Sequence, residues 1–248
     1  MIALVHSELL KLRTLRSTAW SAAALMAITL LVSVLAMGEA GEKDYRTPAQ
    51  LQETILGVGY AAVFFLAVLG AIAASGEYRH RTISQRFLAS PERRRVLLAK
   101  LAAYAAVGLG AAVVVTGISA ALGEAVVSSK GYTLELGEAG LRLTGGIAIA
   151  AMLAGMLGVV VGSITRNPTT AMVAILGFWM TEKIAGGWFG DAAAYFPFAL
   201  FENVLGLNTP MAWGYAALAL AGLTAALALV AQRVFCLLYT SPSPRDRS

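Results

Sequence analysis

Apolar residues along this chain come in long blocks rather than in alternation. Six stretches qualify or nearly qualify at about 20 apolar residues, the length at which an α-helix crosses a bilayer. They cover residues 18–38, 55–75, 97–122, 143–164, 169–187 and 211–231. The pattern predicts an all-α membrane protein with six transmembrane helices in a single domain, residues 1–235. Lys11, Arg13 and Arg16 precede the first stretch as they would a secretory signal. Its apolar core of about 19 residues exceeds the 7 to 15 of a signal, so it reads as a retained anchor.

Helix starts share a local grammar. Thr47-Pro48, Ser90-Pro91, Asn167-Pro168 and Thr209-Pro210 each set a capping side chain before a proline. The cap accepts a bond from an orphan backbone N–H, and proline at the first helical position has no N–H to lose. Gln50 completes a capping box with Thr47. These pairs predict the starts of spans two, three, five and six, with two and three beginning outside the bilayer.

Composition agrees. Hydrophobic residues make up 58% and charged residues 13%, against roughly 25% charged in soluble domains. Too little charge remains to coat a soluble enzyme. The lone Cys236 and two histidines, His6 and His80, cannot build a disulfide framework, a zinc cluster or a Cys–His catalytic pair. The last thirteen residues, CLLYTSPSPRDRS (236–248), resemble translated sequencing-adapter read-through and are set apart from the fold as non-native. Without them the chain has no cysteine and a net charge of +4.

The charges then sort by side. Segments 1–17, 76–100, 165–168 and 232–235 carry 12 Lys and Arg against 3 Asp and Glu. Segments 39–54, 123–142 and 182–210 carry 5 against 10. Basic loops stay inside, so both termini are predicted to be cytoplasmic. The positive balance is a topology signal rather than a footprint for nucleic acid.

Two cytosolic segments carry more than topology. In residues 1–16, Ile2, Val5, Leu9 and Leu12 recur at helical spacing while Glu8, Lys11 and Arg13 lie mostly elsewhere. That is the pattern of a helix lying in the membrane interface; a basic flank orienting the first span is the plainer reading. The loop GEYRHRTISQRFLASPERRRVLLAK, residues 76–100, holds seven Lys or Arg with Tyr78, Ile83, Phe87 and Leu88 among them. Ile83 and Phe87 are four apart and share a helix face. Such a face fits a helix docking on a partner, with charges orienting the contact. Arginines meeting lipid phosphates are the alternative.

At this loop a resemblance becomes specific. Glu77, Arg79, Arg81, Thr82 and Ile83, then Ser90-Pro91 with Arg93 and Lys100, resemble the first cytosolic loop of type-2 ABC exporter permeases. The segment with Glu8, Lys11 and Arg13 is similar to that family's interfacial helix. The resemblance covers residues 1–235, with Arg81 where the family usually has glycine. It implies a membrane permease subunit that binds a separate ABC ATPase through the loop acting as a coupling helix. It implies pairing with a second permease subunit, as homo- or heterodimer, in a bacterial plasma membrane. The chain has no G-x-x-x-x-G-K-[ST] phosphate loop. No cofactor is expected on this chain; ATP and Mg belong to the partner.

Toward the other side, Glu182 is about 20 Å along the fifth predicted helix. Charge at such depth is buried in protein or faces water, which makes Glu182 a candidate for the export path or gate. Reaching the outer interface is the plainer reading. Residues 184–210 are apolar and aromatic but broken by glycine and Pro197. They suit re-entrant helices between spans five and six, as the resemblance implies, or an aromatic belt. Gly158 and Gly162 let helices approach closely, for internal packing rather than for a dimer seam.

Three function classes follow. The resemblance implies an exporter subunit with no catalytic or metal-ligating residues of its own. A membrane sensor or immunity protein on the same fold is the alternative. An intramembrane enzyme lacks its motifs: there is no G-x-S-x-G, H-E-x-x-H or G-x-G-D.

Overall fold

The computed structural model describes residues 2–14, 20, 23–24, 27–32, 34–35, 59–79, 93–129, 138–206 and 211–237, and among them there is no strand. The helices are α1 (Ile2–Thr14), α2 (Gly59–Arg79), α3 (Arg93–Ser129), α4 (Glu138–Thr165), α5 (Pro168–Phe189), α6 (Pro197–Leu205) and α7 (Trp213–Leu237). A 3-10 turn, Gly190–Tyr195, joins α5 to α6. Of the stretch 18–38 the described residues are helical. The last helix continues through Cys236 and Leu237, two residues into the stretch set apart above.

Among the described residues three helical segments are long and apolar enough to cross a membrane: Arg94–Ala125, Gly140–Thr165 and Trp213–Val234. α3 has 37 residues and is about 55 Å long, well beyond the predicted 97–122. A hydropathy window finds only the part that suits lipid, whereas backbone hydrogen bonding carries the helix on at both ends.

α4 is the centre of the bundle. Its most apolar stretch is 67% buried, against 22% for the corresponding stretches of α3 and α7. Small residues make this possible. A side chain at Gly158 or Gly162 would run into the carbonyl oxygens of Ala67 and Ala71 on α2. Nearby, at i−3 from Gly158, Gly155 lies against the Tyr104 carbonyl of α3. In lipid, helices associate through such close packing rather than through exclusion from water. The G-x-x-x-G pair therefore serves internal packing.

The ends of the helices sort into two layers. The end of α2, the start of α3, the α4–α5 turn and the end of α7 share one layer, where α1 also lies. At the opposite end α6 packs against α4 and α7, with Phe198, Leu200, Phe201, Asn203, Val204 and Leu205 buried. Phe198 stands among Phe64 of α2, Phe178 of α5 and Phe201, with ring centroids 6.1–6.3 Å apart.

One of the predicted cap pairs can be checked directly. Asn167 accepts a bond from the Thr169 N–H at 3.0 Å, with Pro168 opening α5. Thr47-Pro48, Ser90-Pro91 and Thr209-Pro210 lie outside the described residues.

Candidate functional site

α1 divides its apolar stripe between two surroundings. Glu8 is its buried residue, flanked by Leu4, Val5, Lys11 and Leu12, while Ile2, Leu9 and Leu10 are exposed. Val5 and Leu12 fall within one turn of Glu8 and share its inner face, whereas Ile2 and Leu9 are rotated about 100° or more away. Leu12 packs on an apolar cluster of Ala74, Leu97, Leu101, Tyr104, Val159, Val160 and Ala231.

On that cluster sits a quartet of charges from three helices. Lys100 of α3 places its Nζ 2.8 Å from Oε1 of Glu77 on α2, and 3.5 Å from Oε2 of Glu8. Lys11 reaches the same Glu77 oxygen at 2.9 Å and Glu8 Oε1 at 3.9 Å. Glu8 and Lys100 are buried, and the Glu77 side chain is nearly so. Burial alone would push the Glu77 carboxyl up. The charge and hydrogen bond of Lys100, joined by those of Lys11, outweigh it and hold the group below the usual carboxylate range. Two acids and two bases make the quartet neutral, which is what permits burial.

A second link joins the remaining helices at this layer. The Arg166 guanidinium stacks on the Tyr78 ring, 5.6 Å from its centroid, and Nη2 donates to the Val234 carbonyl at 3.5 Å. Its backbone N–H closes the last turn of α4 on Gly162 O, at 3.0 Å and φ +57°. A non-glycine residue there costs about 1–2 kcal/mol. The contacts of its side chain across three helix ends offset that cost.

At the opposite layer Glu182 is buried. Its Oε1 accepts from the Ala199 N–H at 2.7 Å and its Oε2 from the Phe198 N–H at 3.1 Å. α6 opens at Pro197, and the preceding Phe196 offers no capping side chain. Glu182 therefore caps α6 from another helix, with its charge at the positive end of the helix dipole. Lys183 pairs with Glu202 of α6, and Asn203 Nδ2 donates to Ala194 O at 2.8 Å.

Of the residues singled out from sequence, Glu8, Lys11 and Glu77 meet in the quartet, and Arg79 is exposed at the end of α2. Arg81, Thr82, Ile83 and Phe87 lie outside the described residues, as do the side chains of Arg13 and Arg93. Lys100 belongs to the loop motif but its two acidic partners were not foreseen. Arg166 was also missed. Its signal is a lone cation in a two-residue connection, Arg166-Asn167, between apolar helices.

The fold and its charged end layer define a helical protein of the multi-pass membrane class. A family model described as ABC-2 family transporter protein matches residues 2–205, and the chain belongs to that family. No curated protein matches it.

Proposed function

We propose that this chain is the membrane permease subunit of an ATP-binding cassette exporter. It spans the bacterial plasma membrane six times with both termini in the cytoplasm. α1 is its interfacial helix, and the segment with Arg79, Arg81, Thr82, Ile83, Phe87 and Arg93 is its coupling helix. ATP and Mg bind a partner ATPase, which docks on that segment, and a second permease subunit completes the pathway.

The observation that carries this reading is the quartet. Residues 80–92 connect α2 to α3, and the two ends of that connection are fixed to each other and to α1 by Lys100, Glu77, Glu8 and Lys11. A push on the connecting segment then reaches α2 and α3 as one body rather than as two independent rods. Glu182 acts at the outer gate by positioning α6, because its carboxylate is turned onto the α6 backbone. The segment from Gly190 to Leu205 is the re-entrant element between spans five and six.

The test is capture of the cognate ATPase by the detergent-purified chain, combined with efflux from vesicles. Reversing the charges of Arg79 and Arg93 should abolish both. Retention of ATPase binding and export by that double variant would refute docking at the segment. Topology is checked by cysteine labelling after Cys236→Ser: R94C should label only from inside and E42C only from outside.

A further inference from the structure

We propose that a cavity between the start of α3 and the end of α7 binds the phosphate headgroup of an anionic membrane lipid. The cavity is lined by Arg94, Leu229, Gln232 and Arg233 and has a volume of about 320 Å³. That lies at the small end of ligand pockets, about 300–1,000 Å³, and suits a headgroup rather than a whole amphiphile. Among the described residues its lining holds two guanidiniums and one carboxamide and no acidic residue.

The packing sets this arrangement. Arg94, Leu97 and Leu101 recur at i, i+3 and i+7, so they share one face of α3. Leu97 and Leu101 are buried in the cluster that contains Ala231 of α7. Arg94 therefore continues that seam past its apolar part. On α7, Leu229, Gln232 and Arg233 recur at i, i+3 and i+4 and form a single face. The end of α7 is held from elsewhere by the bond from Arg166 to the Val234 carbonyl, which fixes the helix end that presents Arg233.

Two planar forks facing a shared space match the oxygens of a phosphodiester. The source is a lipid rather than soluble phosphate because exposed apolar residues adjoin the cavity. Leu229 is 63% exposed and Val230 50% exposed, one helical turn from Arg233 toward the middle of α7. An acyl chain lies along these residues while the headgroup meets the arginines. Basic pockets between spanning helices on the cytoplasmic side have this chemistry. The inference requires only that α7 crosses the bilayer, and stands apart from export.

The experiment is a native mass-spectrometric titration of the full chain with phosphatidylglycerol and with phosphatidylcholine of the same acyl chains. Phosphatidylglycerol should bind at least about tenfold more tightly. R94Q/R233Q should bring the two lipids within about twofold, and R94K/R233K should fall between. R95Q, which removes the same charge on the same helix but outside the cavity, should keep the preference. L229E leaves both arginines but places a carboxylate one turn from Arg233, and should also abolish the preference; this holds the test open if the double variant does not fold. The proposal is overturned by an unchanged preference in L229E or in folded R94Q/R233Q, or by equal loss in R95Q. It is also overturned if glycerol 3-phosphate displaces the lipid at equal concentration, which would mark a site for soluble phosphate.

Discussion

Replacing Glu182 by alanine should release α6 without unfolding the bundle. The side chain accepts two bonds, at 2.7 and 3.1 Å, from backbone N–H groups in the first turn of α6. Hydrogen bonds to a charged group contribute about 1.5–3 kcal/mol each, and loss of a helix cap typically costs about 1 kcal/mol. The two bonds share one carboxylate and one cap, so they do not add fully. A loss of about 2 kcal/mol is expected, a factor of about 30 in the opening equilibrium. The remaining contacts of α6, its six buried residues and the aromatic packing of Phe198, are unchanged. The opening is thus local. The assay is thiol labelling of V204C, made with Cys236→Ser, because Val204 is fully buried against α4. Labelling should accelerate about 30-fold in E182A. K183A is the reference: its pair with Glu202 is half exposed and contributes at most about 1 kcal/mol, so labelling should change no more than about fivefold. Equal labelling rates in E182A and its parent would refute the reasoning.

Lys100→Met should lower the thermal unfolding temperature in detergent sharply, since it leaves Glu8 buried with its closest cation gone. Breaking a buried pair costs about 3–5 kcal/mol, and E77Q/K100M should recover part of the loss. The same quartet predicts an acid limb. A carboxyl held below its ordinary value of 4.5 contributes stability that is complete above that value and is lost as pH falls through the lower folded value. Unfolding temperature should therefore be insensitive to Glu77 above pH 5 and fall below about 4.5, with E77Q flattening that limb. Gly158→Ala should destabilise by about 1–3 kcal/mol through overpacking on the Ala67 carbonyl. Gly177→Ala, which meets nothing within 4 Å, should stabilise slightly or be neutral in the same measurement.

The elements were legible where physics is local. Apolar length located α3, α4 and α7, and a cap before proline located the start of α5 at Pro168. The family resemblance brought Glu77 and Glu8 forward, but not their meeting. Their partner Lys100 is 23 and 92 residues away along the chain, and nothing in a periodic pattern encodes such a contact. α1 shows the same limit: its apolar stripe does predict a helix, but not that a carboxylate would point into the bundle. A buried charge follows from what awaits it, here two lysines, and that is a tertiary property. The start of α6 escaped the cap grammar because its capping oxygens are supplied by Glu182, from another helix. Arg166 escaped because its left-handed backbone and its three-way contact exist only once the ends of α2, α4 and α7 are side by side.

α2 and α3 touch each other far less than either touches α4. During synthesis α4 emerges after both. Until Thr165 has been made, the small-residue seams that α2 and α3 offer have no counterpart to close against. The quartet needs only α1, α2 and α3. It is therefore the one charged contact described here that the growing chain can complete early, holding two helices at the spacing that the third will fill. Its burial in the finished protein is complete only once Val159 and Val160 of α4 and Ala231 of α7 have joined the apolar cluster beneath it.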